Sequence, residues 1–224
     1  MINKSFLKWA GGKSQSIEFL KEHIGKVSGR FIEPFTGSGV VTLNVKASEY
    51  IIGDSNFDLI NLYSVLKTKD SFIEDLKYYF SGEFNNSESF YKFRTIFNTT
   101  LSLEEKAMLF VYLNRHCFNG LCRYNKSGKF NVPFGKYKKI NLPEKELLSF
   151  KTKLQECTIL HSNFNDTIRL AKQNDVIYCV PENILVYQDG FYLPISEVVV
   201  NKTDMGNGNI CTNKYIRSTI MVRN

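Results

Sequence analysis

The stretch "GRFIEPFTGSGVVTLNVKASEYIIGDSN", residues 29–56, constrains the chain more than any other. A short apolar run ends in a Gly-rich turn, a helix-forming stretch follows, and a second apolar run ends at Asp54. Strand, helix and strand in that order imply a parallel pair, because parallel neighbours need a crossover and cannot be joined by a tight hairpin. Gly37 and Gly39 stand where the first strand turns, and glycine there tolerates positive φ and lets the backbone approach a ligand. Asp54, seventeen residues after Gly37, is placed to accept hydrogen bonds from a ribose diol. A lone GxG is equally a structural turn; its coupling to the helix, the second strand and Asp54 is what points to a nucleoside cofactor. Trp9 is the only tryptophan, in the Gly-rich "KWAGGK". It reads either as a core-edge aromatic between two solvated lysines, Lys8 and Lys13, or as a lid at the mouth of that pocket.

The alternation continues downstream. "TILHSNF" and "DVIYCV" read as strands, with "NDTIRLAKQ" as the helix between them, so the fold class is α/β with a parallel sheet. Between the second and third strands, apolar spacing near 3.6 marks four helices: "DLINLYSVLKT", "SFIEDLKYYF", "SESFYKFRTIFN" and "SLEEKAMLFVYLNRH". A fifth, "PEKELLSFKTKLQE", starts at Pro143. The expected organisation is an α/β core over residues 1–57 and 143–178, a helical insertion over 58–142, and a small β-rich tail over 179–224.

Composition bears on partners. A net charge of +7 favours a polyanion if the charge is clustered. Residues 115–139, "RHCFNGLCRYNKSGKFNVPFGKYKK", hold seven Lys/Arg and no acid, with Phe118, Tyr124, Phe130, Phe134 and Tyr137 interleaved. Such a run is either a solvated face or a surface that meets phosphates with its cations and bases with its rings. Arg123 has the fork that reads guanine O6 and N7. Five cysteines without paired CxxC spacing argue against a zinc site or a disulfide framework and for a reducing cytoplasm. No metal is expected. The N-terminal residues lack an apolar h-region, and no run reaches the ~18 apolar residues of a membrane span, so a soluble, cytoplasmic protein is expected.

Five motifs in order, "FLKWAGGK", "EPFTGSG", "GDSNFDLINLY", "NRHCFNGLCRYNKSGKFNVPFGKYKK" and "DVIYC", closely resemble the DNA adenine methyltransferase (Dam) family over about residues 1–178. The resemblance implies a Rossmann-like S-adenosyl-L-methionine-dependent methyltransferase sheet, here incomplete, with a helical DNA-recognition insertion, acting on N6 of adenine in double-stranded GATC DNA. It implies that Trp9, Lys13 and Asp54 hold S-adenosylmethionine, with Glu33, Phe35, Gly37 and Gly39 in the turn beneath it. It also implies that Lys8, Asn119, Leu121, Arg123 and Pro133 contact DNA, joined by Asn125, Lys126 and Tyr137. Phe118 stands where the family often has a tyrosine that wedges into the base stack.

The family's methyl-transfer motif, Asp-Pro-Pro-Tyr after the "DVIYC" strand, is absent: Val180, Pro181, Glu182 and Asn183 follow Cys179. Residues 179–199, "CVPENILVYQDGFYLPISEVV", instead resemble the N-terminal splicing block of inteins, with a hairpin turned at Asp189 and Gly190. Read so, the Cys179 thiol attacks the Tyr178 carbonyl and the chain is inactive until trans-splicing joins it to a second chain. That partner carries the C-terminal intein fragment and a methyltransferase half beginning Cys-Asp-Pro-Pro-Tyr. The 46 residues from Cys179 on are too few for a complete intein, and no Thr-x-x-His block follows. The alternative is a truncated, catalytically dead remnant that occupies GATC.

Overall fold

The computed structural model describes residues 2–179, and beyond them the backbone of residues 185–188, 191–194, 198–203 and 218–223. The chain divides into two compact units, a sheet unit built on residues 13–55 and 156 onward, and a helical unit of residues 3–12 and 56–155. Among the described residues no helix is long and apolar enough to cross a membrane.

In the sheet unit, β1 (Phe31–Glu33), β2 (Tyr50–Asp54), β3 (Cys157–His161) and β4 (Val176–Cys179) are mutually parallel in the order β3-β2-β1-β4. Every residue of β1 and β4 is buried, as parallel strands covered on both faces require. One face stacks Phe31 on Tyr178 at 6.4 Å and sets it edge-on to Tyr50 at 6.3 Å. The other packs Ile32, Ile51, Ile177 and Cys179 with Ala171, Phe35, Leu160 and Ile168. Among the described residues the α-helices of this unit are α1 (Ile17–Ile24), α2 (Val40–Asn44) and α8 (Phe164–Arg169). The sequence predicts a longer α2, running to Ser48. It stops because Val45 is extended, and the Tyr50 hydroxyl donates to Val45 O (2.9 Å) while accepting from Ala47 N (2.8 Å).

Of the later stretches, β5 (Leu185–Gln188) and β6 (Phe191–Pro194) pair antiparallel. The backbone of β8 (Ser218–Arg223) runs antiparallel to β4 and parallel to β7 (Val198–Thr203). The turn expected at residues 189–190 lies outside the described residues.

The helical unit comprises α3 (Phe57–Thr68), α4 (Phe72–Lys77), α5 (Ser87–Phe97), α6 (Leu103–His116) and α7 (Glu144–Leu154). Three of these begin at side-chain caps: Asn56 accepts from Leu59 N, Asn86 from Ser89 N and Ser102 from Glu105 N. Phe6, Tyr63 and Phe150 form one aromatic knot of the core, with ring centroids 4.9–6.4 Å apart.

At the start of β4, the buried Asp175 carboxylate accepts from the backbone N–H groups of Arg30 (2.9 Å) and Lys172 (2.8 Å) and from Arg30 Nη2 (2.6 Å). Arg30 Nη2 also donates to Leu170 O at 2.8 Å. A side chain at Gly29 would place Cβ 2.5 Å from Asn174 O, so glycine is needed for β1 and β4 to start together. Burial raises the Asp175 pKa, but the Arg30 and backbone donors outweigh it and hold the carboxyl below the usual range. The clamp therefore stabilises the fold above the ordinary carboxylate pKa and weakens only as pH falls through the depressed one. Asp175→Ala is expected to cost about 3 kcal/mol, because it strands Arg30 and two N–H groups. Urea denaturation at pH 7 measures the loss.

Candidate functional site

From β1 the chain moves outward to β2 and β3, then returns to the opposite side of β1 for β4. The order reverses between β1 and β4, and open α/β sheets bind ligands beyond the carboxyl ends of strands at such a point. The loop after β1 is tightly held there. Thr36 N–H donates to Gly53 O (2.9 Å), Gly39 N–H to Thr36 O (2.8 Å) and Gly37 N–H to Asp54 Oδ2 (3.0 Å). Gly37 (φ 47°) and Gly39 (φ 66°) both adopt the left-handed backbone that favours glycine. Asp54, half-buried, thus joins the two strand ends, a task it performs within the fold whatever it binds.

Glu33 is 2% exposed and turned into the protein, where Oε2 accepts from Thr42 N (3.1 Å) and Thr42 Oγ1 (2.5 Å). Burial pushes its pKa up to about 8; the Thr42 bonds oppose this and the Asp54 charge adds to it. Beside it in the sheet, the buried Tyr178 hydroxyl has no hydrogen-bond partner among the described residues. Phe35, half-buried, stacks on Phe164 at 5.4 Å, and Phe164 is 44% exposed. Sequence reasoning missed Phe164, although its place as the first residue of a helix capped by Asn163, just after a strand, is a usable signal. Trp9 lies in the helical unit, half-buried, its carbonyl accepting from Gly12 N at 3.2 Å. Lys13 opens the sheet unit, where its carbonyl accepts from Ser16 N at 2.9 Å.

The basic segment is an ordered surface of the helical unit. Asn98, the C-cap of α5, exchanges two hydrogen bonds with the backbone of Phe130 (2.8 and 3.0 Å), and Arg94 Nη1 donates to Val132 O (3.0 Å). Asn125 folds the tip by accepting from Ser127 N and Lys129 N at 3.0 Å, and Lys126 is exposed there. Exposed Arg123 donates through Nε to Asn131 Oδ1 at 2.8 Å, which aims its fork. Pro133, exposed, accepts from Phe118 N at 2.9 Å, and Leu121 N–H closes a turn onto Phe118 O at 3.2 Å.

The interleaved aromatics do not all face outward, contrary to the reading of rings laid against bases. Phe130 is buried, Phe134 packs on Phe90, and the Tyr124 hydroxyl donates to Asp58 at 2.7 Å. Phe118 alone of the five is exposed, at 50%. The others anchor the loop, because a long irregular segment needs its own apolar contacts to stay ordered. Beneath it, burial keeps His116 neutral, with its pKa lowered to about 4, and lifts the Cys117 thiol to about 12.

Comparison with known proteins agrees with this arrangement. A family model described as D12 class N6 adenine-specific DNA methyltransferase matches residues 9–181. A curated protein of Serratia marcescens named "DNA adenine methylase" is 47% identical over 180 residues, covering 80% of this chain and 66% of its own length. One of the same name from Escherichia coli (strain K12) is 43% identical over 180 residues, covering 80% and 64%. Another, from Vibrio cholerae serotype O1, is 40% identical over 206 residues, covering 92% and 71%. The matched part spans about two thirds of the length of these relatives.

Glu33 makes a titration test possible. Its raised pKa means that its contribution to stability is full below pH 4.5 and is lost as pH rises through about 8. Glu33→Gln keeps an acceptor for Thr42 and removes the charge. From pH 5 to 8 the melting temperature of the wild type is expected to fall relative to that of Glu33→Gln by roughly 5 °C, about 2 kcal/mol for a chain of this size. Parallel thermal melts check it, and the opposite contribution of His116 cancels in the difference.

Proposed function

Because the chain belongs to the D12 class of N6 adenine-specific DNA methyltransferases, we propose that it is the cofactor-binding and DNA-reading part of an enzyme that methylates adenine N6 in GATC. In this reading it acts in the cytoplasm and is inactive until trans-splicing joins it to a second chain. The observation that carries the reading is the glycine loop tied to Asp54 at the reversal point of a parallel sheet, within the part matched by the family.

S-adenosylmethionine, the donor of this family, would supply an electrophilic methyl group on a sulfonium. The open backbone at Gly37 and Gly39 fits close approach of such a nucleoside, and Asp54 stands where a ribose is bound in related sheets. The family likeness also assigns Trp9, Lys13 and Phe35 to the cofactor, while buried Glu33 is held by Thr42. On the DNA side, Lys8 and Lys126 would meet phosphates and Arg123 a guanine edge, with Asn119, Leu121, Asn125, Pro133 and Tyr137 shaping the contact. Phe118 would fill the gap left when the target base swings out. The adenine amine is a weak nucleophile, and acceptors for its two hydrogens make the nitrogen more sp³-like as it attacks. Asp-Pro-Pro-Tyr supplies them in this family, and Cys179 is followed here by Val-Pro-Glu-Asn.

For splicing, the Cys179 sulfur would attack the Tyr178 carbonyl carbon and the peptide nitrogen would leave as an amine, giving a thioester. A downstream cysteine then takes the acyl group. Cys179 is buried at the end of β4, and burial with the Glu33 charge lifts its thiol to about 12. Attack at neutral pH therefore requires the partner fragment to remake the end of this strand. Co-expression with a chain carrying the C-terminal intein fragment and the Asp-Pro-Pro-Tyr half is expected to yield a ligated product lacking residues 179–224. Cys179→Ala should reduce that product at least about 100-fold; equal product on denaturing gels would end the splicing reading.

A second reading, a remnant that binds GATC without modifying it, is favoured by one finding. The Vibrio cholerae match covers 206 residues and so runs past Cys179. It predicts no ligated product. Both readings predict salt-sensitive preference for GATC duplex by the unspliced chain, and Arg123→Ala should cut that preference about tenfold or more in competition anisotropy.

A further inference from the structure

Asn114, in the last turn of α6, lies outside every role assigned so far. It is 2% exposed and is surrounded by backbone. Its carboxamide oxygen accepts from Lys8 N at 2.9 Å, and its Nδ2 donates to Lys8 O at 2.7 Å and to Gly120 O at 3.2 Å. One side chain thus pairs with both main-chain groups of Lys8, as a neighbouring strand would, while holding the turn that follows α6.

That turn has little freedom. Asn119 (φ 53°) and Gly120 (φ 64°) are both left-handed, the pair of values that an Asn-Gly turn supplies. A Cβ on Gly120 would lie 2.2 Å from Lys8 Cβ. Lys8 Nζ sits over the Tyr137 ring at 4.0 Å, and the Tyr137 hydroxyl accepts from Asn119 N at 3.1 Å. The contacts close a circuit, from Asn114 to Lys8, Tyr137, Asn119, Gly120 and back to Asn114. The exposed Phe118 projects from the same turn.

We propose that Asn114 is a positioning residue for DNA recognition, locking the Lys8 ammonium and the turn that carries Phe118 and Asn119 into one rigid contact surface. The inference rests on the DNA-binding reading of this loop. The carboxamide suits the task because its two ends differ: an oxygen faces an N–H and an NH₂ faces two carbonyls. Asn114→Asp puts an acceptor against both carbonyls, and Asn114→Leu leaves all three backbone groups without partners.

The test uses the full chain and two fluorescent duplexes, one with GATC and one with the same bases shuffled, titrated from 50 to 300 mM salt. Asn114→Asp is expected to lower the preference for GATC about tenfold and to reduce the slope of log affinity against log salt by about one, as Lys8 no longer meets its phosphate. That slope is insensitive to the fraction of protein folded, so a merely structural loss would not move it. Tyr137→Phe keeps the ring under Lys8 and removes only the hydroxyl that takes Asn119 N–H. It should lower the preference several-fold, about threefold or more, and leave the slope unchanged. If Asn114→Asp does not fold by circular dichroism, Tyr137→Phe decides the question. Wild-type preference and slope in Asn114→Asp, or undiminished preference in Tyr137→Phe when it is the deciding variant, overturn the proposal. A wild-type chain without any preference overturns instead the DNA-binding reading beneath it.

Discussion

The sheet depends on one carboxylate. β4 is four residues long and its described register against β1 consists of two pairs, Phe31 with Val176 and Ile32 with Ile177. So short a strand, returning from the far side of the sheet, needs more than its ladder to stay in place. Asp175 supplies it by binding the main chain of Arg30 and Lys172 and the Arg30 guanidinium together, while Gly29 lets the backbones close up. The charges are half a pair and half a cap. Because the donors fill the carboxylate's lone pairs, its burial is compatible with its charge.

Buried polar groups elsewhere in the chain follow the same rule with different results. Among the described residues Glu33 has only Thr42 for a donor, and burial wins, so its proton is held into the neutral range. His116 has the Tyr112 carbonyl and a stacked ring, and burial wins again, in favour of the neutral imidazole. Asn114, which carries no charge, satisfies three backbone groups at once. In each case burial is weighed against the number and kind of partners, and the balance decides what the group does.

Much of the fold is legible in the amino-acid order alone. The strand, turn and helix succession around Gly37 and Asp54 is visible there because hydrophobic period and glycine placement are local properties. The four helices from Phe57 to His116 fall where 3.6-residue spacing puts them, three of them at Asn or Ser caps. Less legible is the basic segment. Its rings look like a set, and the fold sorts them by neighbours far away in sequence: Phe134 on Phe90, Tyr124 on Asp58, and Phe118 on none of these. Phe164 carries a local sign of its place, at the start of a capped helix after a strand, but none of its partner, Phe35, which is more than a hundred residues distant. The end of α2 is hidden for a related reason, since Tyr50, from the next strand, bonds the backbone that would otherwise continue the helix.

By itself the sequence determined the residue types available for chemistry, the α/β alternation, the concentration of positive charge in one loop, and the family likeness carried by five ordered motifs. Tertiary structure alone decided which of those residues face a partner and which hold the fold. Asp54 spends one oxygen on Gly37, Glu33 turns inward to Thr42, and an unremarked asparagine ties Lys8 to the turn of Asn119 and Gly120. The physical reason is range. Periodicity and turn chemistry act over a few residues, whereas a hydrogen bond joins groups such as Lys8 and Asn114, 106 positions apart, only once packing has brought them within 3 Å.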